Sequence, residues 1–347
     1  MAAKAPANTS KPIKILMTTD AVGGVWQYSV DLIRGLGANV EVLLATLGPR
    51  PSTAQKQQLQ NVSRLQLCES DYALEWMPDP WGAVDVAGEW LLSIQAQFGA
   101  DVVHLNSYAH ASLAWRKPVI VVAHSCVYSW WNAVHRCAPT PEWNEYYRRI
   151  ADGLSACDTV VAPSQFMAAE VEREYSVPPE KIQVIYNFSS APESYAAKEP
   201  CCLAAGRLWD QAKNLSLLEE IAPHLRWPVK LAKDLPHPEL LECMSRASIF
   251  LHPALYEPFG LSVLEAARAG CCLVLADIPS LRELWSESAI FIDPRQPDEW
   301  ICRLNQLFTE PQEVLYWGDA ARERAACYSE QNAIQAYLTL YRSGVPA

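Results

Sequence analysis

The sequence predicts an α/β protein of two domains, each a doubly wound parallel sheet, that face one another across a cleft. Its 347 residues are enough for two domains of ordinary size, and 50% of them are hydrophobic, which suffices for two cores. Short apolar or β-branched runs also alternate with amphipathic stretches from Ile13 almost to the end, as expected of βαβ units.

The first series of strands is complete enough to form a Rossmann-like domain by itself. Seven strands are predicted, at Ile13–Thr18, Val40–Leu44, Leu65–Cys68, Val102–Leu105, Val119–Ala123, Thr159–Ala162 and Ile182–Ile185. The segment from Phe188 to Pro200 is polar, contains two prolines and lacks periodicity, so we predict a linker there. The first domain is therefore expected at residues 1–190.

A second series of strands and helices follows the linker. The strands are predicted at Cys202–Ala205, Val229–Ala232, Ile249–His252, Cys272–Ala276 and Ala289–Ile292, and closing helices at Asp298–Phe308, Gln312–Cys327 and Glu330–Arg342. We expect residues 191–327 to form a second, shortened Rossmann-like domain. The helix within residues 328–347 is expected to pack back on the first domain.

Composition excludes several classes of function. The chain has 39 acidic and 28 basic residues, a net charge of −11, so nucleic acid would be repelled and is not an expected partner. No apolar run approaches 18 residues, and the first 11 residues lack a signal-peptide core, so we expect a cytoplasmic protein without stable membrane insertion. The eleven cysteines include no CxxC pair and are interpreted as small buried hydrophobes.

The sharpest local motif is LYEPFGLSVLE at residues 255–265, which follows a predicted strand and opens a helix. Pro258 and Gly260 shape a tight turn, and the missing Cβ of Gly260 lets a ligand approach the backbone. The free N–H groups of Leu261–Val263 then form an anion site that suits a diphosphate.

Two glutamates flank this turn. Glu257 precedes it and can point into the cleft, while Glu265, about one turn into the helix, can accept hydrogen bonds from sugar hydroxyls. A capped βα connection with two solvated glutamates would explain the same residues.

Two cations lie at the same predicted edge of the second sheet. Gly206 and Arg207 follow the first strand of the domain, and Lys213 starts the next helix. Ligands of open α/β sheets bind at this edge. Cations that face a helix N-terminus can stabilise a departing nucleotide diphosphate without a metal. A solvated surface loop is the alternative, and it is weaker because both cations keep these offsets from one strand.

Together these segments resemble family 4 glycosyltransferases, the retaining enzymes of the two-domain GT-B fold. The matching segments are GRLxxxxxKN, LYEPFGLSVLEAARAG, VIYNF and VVAPSQFM, and the resemblance covers nearly the whole chain. It implies that Glu257 contacts the donor sugar and that Arg207 and Lys213 contact the diphosphate. The donor-binding set that it implies is Gly23, Gly24, Gly206, Gly260, Leu261, Ser262 and Glu265, with Glu265 on the nucleotide ribose.

The first domain adds two matches. The segment Asp20–Trp26 looks like the family's glycine loop, whose backbone approaches a phosphate or the acceptor, although a tight βα turn would explain its glycine pair equally well. His124 ends a predicted strand and resembles the histidine that touches the donor sugar and the reacting centre. His104 and His110 have no such support and are interpreted as structural.

One departure from the family concerns the nucleotide base. Members usually carry a GDGP-type turn, a helix and a further strand after the second strand of this domain. Here residues 229–239 run almost directly into a helix predicted at Leu240–Arg246. The identity of the base is therefore not inferred, and a protein with degenerate catalysis stays an alternative.

The resemblance implies transfer of a hexosyl group from a nucleotide sugar, of the UDP-glucose or GDP-mannose type, to a hydroxyl of a small-molecule, glycan or lipid-linked acceptor. No two aspartates stand two apart, so the metal-binding DxD element is absent from the sequence, and we expect no metal and no cofactor. The alternatives are a sugar-nucleotide-binding or scaffold protein, and a sugar phosphorylase or epimerase of the same fold. A dehydrogenase ranks last because no GxGxxG follows any strand.

Aromatic residues concentrate directly after His124. We predict that Trp130 and Trp131 lie in a loop, where their ring faces suit a sugar or aromatic acceptor. The alternative is that this region is core, since Trp143 and the two tyrosines after it have the spacing of one helix face.

Overall fold

The computed structural model of the protein describes residues 11–194, 196–233 and 235–344. The predicted fold class is confirmed: one parallel sheet has seven strands and a second has five. Both sheets are covered by helices, and parallel strands buried on two faces read as nearly continuous apolar runs. This is why the strands could be located from the sequence.

The first domain contains seven strands and six α-helices. The strands are β1 Ile13–Asp20, β2 Val40–Leu47, β3 Leu65–Glu69, β4 Val102–Leu105, β5 Val119–Val122, β6 Thr159–Ala162 and β7 Ile182–Val184. The helices are α1 Gly24–Leu36, α2 Thr53–Gln58, α3 Trp81–Phe98, α4 Val127–His135, α5 Asn144–Ala156 and α6 Gln165–Tyr175. The strand order is β3-β2-β1-β4-β5-β6-β7, so the chain reverses direction across the sheet between β1 and β4.

The second domain and the C-terminal helices complete the chain. The strands are β8 Glu199–Ala205, β9 Val229–Ala232, β10 Ala247–His252, β11 Cys272–Ala276 and β12 Ile290–Ile292, in the order β12-β11-β10-β8-β9. The helices are α7 Leu215–Ile221, α8 His237–Arg246, α9 Leu261–Arg268, α10 Pro279–Trp285, α11 Pro297–Thr309, α12 Pro311–Ala325 and α13 Glu330–Ser343.

Two boundaries differ from the sequence prediction. Helix α8 begins at His237 and not at Leu240, because Pro238 occupies its first turn, where the missing proline N–H costs nothing. The predicted linker is also too long. Strand β8 starts at Glu199, inside it, and Phe188 and Ala191 at its other end are buried.

Helix α13 packs on the first domain. Its Tyr337 hydroxyl accepts a 2.6 Å hydrogen bond from the Tyr28 hydroxyl, and its Tyr341 hydroxyl lies 2.8 Å from Nδ1 of His104. Burial lowers the pKa of His104 to about 4, so this histidine is a neutral member of a buried polar cluster. His110 is likewise buried, with Nε2 at 3.0 Å from the Val84 carbonyl.

Direct contacts between the domains fix the width of the cleft. The Ser164 hydroxyl donates to the Pro258 carbonyl at 2.7 Å, and Glu283 accepts from two backbone N–H groups at the start of α6. Arg295 donates to the carbonyl of Ala133 at 2.9 Å. Among the described helices, no apolar stretch is of a length that would span a bilayer.

Candidate active site

A cleft of about 1360 Å³ lies between the two domains, at the carboxyl ends of the strands. It is lined by residues of both domains. Of the residues singled out from the sequence, those that line it are Gly23, Gly24, His124, Trp130, Gly206, Arg207, Lys213, Glu257, Gly260, Leu261, Ser262 and Glu265. Trp131 does not.

Lys213, Glu257 and His252 form a charged cluster in the second-domain wall of the cleft. Lys213 Nζ lies 2.6 Å from Glu257 Oε2, and His252 Nε2 lies 2.9 Å from the same oxygen. Glu257 is buried, which alone would raise its pKa, but Lys213 and His252 hold the pKa of this carboxyl well below its usual range. Glu257 is therefore a fixed carboxylate.

Asn214 determines where the Lys213 side chain starts. It has a left-handed backbone, with φ of 51°, which asparagine tolerates better than most residues. Its side-chain amide donates to the carbonyls of Pro253 and Pro294, at 3.1 and 2.9 Å. The loop after β8 is thereby attached to the loops after β10 and β12.

Arg207 reaches toward the glycine loop of the first domain. Its Nη2 donates to Asp210 at 2.8 Å, and its guanidinium lies 4.8 Å from the centre of the Trp209 ring. A Cβ at Gly23 would overlap Nη1 of Arg207, so a side chain there would displace the guanidinium. The Nε atom of Arg207 is buried and has no hydrogen-bond partner among the described residues.

The turn before α9 has the shape that its sequence requires. Gly260 has φ of 86°, a left-handed conformation that favours glycine. The N–H of Val263 donates to the Gly260 carbonyl at 3.0 Å, so the predicted anion site narrows to the N–H groups of Leu261 and Ser262. Both residues line the cleft, at the positive end of the α9 dipole.

Glu265 is buried one turn further into α9. Its Oε1 lies 2.7 Å from Nε2 of His237 and accepts a 3.3 Å hydrogen bond from the Ser189 hydroxyl. Burial opposes protonation of His237, but the neighbouring Glu265 raises the pKa of this imidazole overall. His237 is the first residue of α8, directly after the shortened segment that follows β9, and it occupies part of the space around Glu265.

His124 is held in one orientation. The Asn106 amide donates to the Thr18 carbonyl at 2.7 Å, so its Oδ1 faces the imidazole and accepts from His124 Nε2 at 2.8 Å. The Tyr28 ring packs edge-on against the imidazole, with 4.5 Å between ring centres. Burial lowers the pKa of His124 to about 3, with a smaller contribution from His104. His124 is therefore neutral at physiological pH.

The prediction that Trp130 and Trp131 lie in a loop was wrong, since both belong to α4. The helix begins after Cys126, whose Sγ accepts from the Ser129 N–H, and it ends at Arg136 in a left-handed conformation. Cysteine is a weak N-cap, so the sequence carries no clear helix start there. The two indoles consequently point in different directions.

Only Trp130 reaches the cleft. Its Nε1 donates to Asp210 Oδ1 at 3.1 Å, which joins the first domain to the carboxylate that holds Arg207. Trp131 packs against His135 and Trp143 instead, with ring centres 4.4 and 6.3 Å away.

Sequence reasoning missed four partners: His252, Asp210, Asn106 and His237. His252 could have been found, because it ends a strand at the carboxyl edge as His124 follows one. Asn106 and His237 contact side chains that are distant along the chain, and Asp210 lies in a loop. No local sequence pattern marks any of the three. Among the described residues, no three His, Cys, Asp or Glu side chains are grouped so as to hold a metal ion.

Comparison with known families assigns both halves of the chain. Residues 22–189 match the model described as Glycosyltransferase Family 4, and residues 196–324 match the model described as Glycosyl transferases group 1. The two matches meet at the boundary between the domains.

Curated relatives share shorter segments. A D-inositol 3-phosphate glycosyltransferase of Corynebacterium urealyticum is 32% identical over 130 residues, which is 36% of this chain and 31% of that protein. The O-antigen chain mannosyltransferase RfbU of Salmonella typhimurium is 22% identical over 199 residues, 49% of this chain and 56% of that protein. The matched segments thus span about a third to about half of these relatives.

Solved structures match over almost the whole chain. A sucrose-phosphate synthase from Thermosynechococcus elongatus superposes with a TM-score of 0.76 at 13% identity, covering 95% of this chain and 98% of that one. Anabaena HepE in complex with UDP-glucose gives 0.71 at 15% identity, covering 95% and 100%. At these identities the likeness shows a shared fold.

Proposed function

We propose that this chain, which belongs to the group 1 glycosyltransferases of the GT-B fold, transfers a hexosyl group from a nucleotide sugar to an acceptor hydroxyl with retention of anomeric configuration. One observation carries the proposal: a buried carboxylate, Glu257, is held between Lys213 and His252 beside the N-terminus of α9. A fixed carboxylate suits sugar hydroxyls, and the adjacent positive groups suit a diphosphate.

The diphosphate is assigned to the second-domain wall. Arg207, Lys213 and the N–H groups at the start of α9 all line this part of the cleft. The unpartnered Nε–H of Arg207 is a donor that a phosphate oxygen would satisfy. These groups are in place before substrate binds, so they stabilise the charge that develops on the departing diphosphate at little reorganisation cost.

Retention is assigned to attack from the face that the diphosphate leaves. The acceptor oxygen bonds to the anomeric carbon as the bond to the phosphate oxygen breaks, and that phosphate oxygen takes the acceptor's proton. No side chain is then required as general base. The imidazole of His124 is oriented and neutral. It contacts the sugar without adding a positive charge of its own at the reacting centre.

Two donors are the first to test. UDP-glucose is suggested by the HepE complex, and the mannosyltransferase relative suggests a mannosyl donor, for which GDP-mannose is the candidate already expected from the sequence. A thermal-shift screen against UDP, GDP, ADP and their hexoses identifies the nucleotide, since a ligand at 100 times its dissociation constant adds about 2.7 kcal/mol of stability. No metal is assigned a role, because Arg207 and Lys213 supply the positive charge.

The proposal is tested by product analysis. With the nucleotide sugar chosen by the screen and a panel of hydroxylated acceptors, proton NMR should give the anomeric configuration of the donor in the product, and excess EDTA should leave the rate unchanged. An inverted product would refute retention, and activity that returns only with added magnesium or manganese would refute metal independence. Nucleotide binding without transfer or donor hydrolysis would favour a binding protein, the alternative suggested by the shortened second domain.

A further inference from the structure

The first-domain wall of the cleft carries negative and aromatic side chains. Among the described residues that line the cleft, the lysine and arginine side chains are Lys213 and Arg207, and both belong to the second domain. Each is already paired with a carboxylate, Glu257 and Asp210 respectively. The first-domain wall therefore offers no lysine or arginine, within the described ranges, to a negatively charged acceptor.

Two carboxyl groups lie on this wall, Asp20 and Glu75. Glu75 is 8% exposed, and its Oε2 accepts from the backbone N–H groups of Ala109 and Tyr108 at 2.9 and 3.1 Å. These bonds hold the carboxyl at the cleft surface. Burial raises the pKa of Glu75 to about 7, so the group is mostly ionised at pH 8.

Among the described residues, the titratable groups near Glu75 are Tyr108, Tyr146 and Cys126, and none of them carries a positive charge. Burial raises the pKa of Tyr108 and of Tyr146 well above the usual tyrosine value, and it also raises that of the Cys126 thiol. All three are neutral at pH 8. Asp20, whose pKa burial also raises, lies near Arg207 but belongs to the first-domain side.

Two tryptophan rings stand at the cleft, one from each domain. Trp76 and Trp209 are stacked with 6.1 Å between ring centres and 19° between planes, and they are 36% and 61% exposed. Both line the cleft. Large exposed aromatic faces suit the apolar face of a sugar ring, which needs no charge to be held.

We propose that the acceptor is an uncharged sugar or glycoside rather than a phosphorylated one, an assignment that depends on the proposed function. A phosphate beside Glu75 would face a carboxylate and no lysine or arginine of the first-domain wall, while Arg207, the cation near Asp20, and Lys213 are occupied by the donor diphosphate. A neutral sugar instead packs on the exposed part of the Trp76 ring, and its hydroxyl groups donate hydrogen bonds to the carboxylates.

Matched acceptor pairs test this assignment. Glucose and glucose 6-phosphate, fructose and fructose 6-phosphate, and myo-inositol and inositol 3-phosphate are titrated calorimetrically at pH 8 into the protein saturated with its preferred nucleoside diphosphate. In at least one pair the neutral member should bind roughly tenfold more tightly. Equal or tighter binding of the phosphorylated members overturns the proposal, as does failure of every neutral member to bind at its solubility limit.

Substitutions test whether Glu75 causes the discrimination between neutral and phosphorylated acceptors. Glu75→Gln keeps an oxygen for the backbone N–H groups and removes the charge, so it should reduce the discrimination against the phosphorylated member several-fold. The matched control, Glu89→Gln on the exposed face of α3, makes the same change in net charge and should leave discrimination unaltered. An effect of equal size in both variants would assign the discrimination to net charge and refute a role for this wall.

A second variant is independent of Glu75. Trp76→Ala, at a partly exposed position, should weaken neutral-acceptor binding while nucleotide affinity stays unchanged; unchanged acceptor affinity would remove the stacking role. The two proposals fail separately. Preference for phosphorylated acceptors with normal transfer would refute only the acceptor class, whereas absence of nucleotide binding in the thermal-shift screen would refute the proposed function itself.

Discussion

The two walls of the cleft differ in the charged side chains that they carry. In the second-domain wall, Lys213 pairs with Glu257, which also contacts His252, and Asp210 pairs with Arg207. In the first-domain wall, His124 is kept neutral by burial, and the other side chains are aromatic, polar or, at Asp20 and Glu75, acidic without a lysine or arginine of that wall among the described residues. Under the two proposals, one wall stabilises charge that forms during reaction, while the other orients a neutral acceptor.

Removing a cation from the second-domain wall should have the largest effect. Lys213→Ala takes away a preorganised partner of the departing diphosphate, which costs roughly a hundred- to a thousandfold in kcat. Initial rates with the identified donor and acceptor measure this. Lys233→Ala is the matched control, since Lys233 pairs with Glu219 at the surface of the same domain. Near wild-type activity of Lys213→Ala would place the diphosphate elsewhere.

The Glu75 carboxyl in the first-domain wall should make the free energy of unfolding depend on pH. The folded pKa of Glu75 is about 7 against an ordinary value of 4.5, so the folded state binds more protons between these values. Stability therefore falls as pH rises from 4.5 to 7, by about 3 kcal/mol at most. Chemical unfolding should show wild type losing stability relative to Glu75→Gln over that range. A gap that does not vary with pH would show that Glu75 titrates normally.

Removing the hydrogen bond from Trp130 to Asp210, which joins the two walls, should have an intermediate effect. Trp130→Phe keeps an aromatic ring but removes the Nε1 donor to Asp210, and through Asp210 it loosens Arg207. We expect nucleoside diphosphate affinity to fall several-fold, which is only part of the about 1.5–3 kcal/mol that a hydrogen bond to a charged group contributes, because the loss acts on Arg207 through Asp210. Trp131→Phe is the control. If only acceptor affinity changed, Trp130 would belong to the first-domain wall alone.

The smallest effect is expected at His237. Glu265 raises the pKa of this histidine, so the pair's contribution to stability is fully present below the unfolded pKa of about 6.5 and is lost as pH rises through the folded pKa. Wild type should lose a little stability across this window. His237→Gln, which does not titrate, should not. The same pH dependence in both proteins would contradict the assigned pairing.

Strands and turns, which depend on local sequence, were predicted better than contacts between residues that are distant along the chain. The twelve strands of the described residues were predicted from apolar runs, and the turn at Gly260 was predicted because a left-handed backbone favours glycine. The position of Trp130 was mispredicted because a weak cysteine cap hides the start of α4. Glu75 and His237 were missed because tertiary contacts set their environments. Glu75 is buried in the fold, and His237 contacts the carboxylate of Glu265, which is distant along the chain.

The division between the walls is tested most directly by calorimetric titration of nucleoside diphosphates and the matching monophosphates in EDTA. UDP with UMP, GDP with GMP and ADP with AMP are compared in wild type and in Lys213→Ala. Wild type should bind one diphosphate roughly tenfold or more tightly than its monophosphate, and the variant should lose most of that difference. Equal affinities in wild type, or a difference that survives in Lys213→Ala, would contradict the assignment of the diphosphate to the second-domain wall.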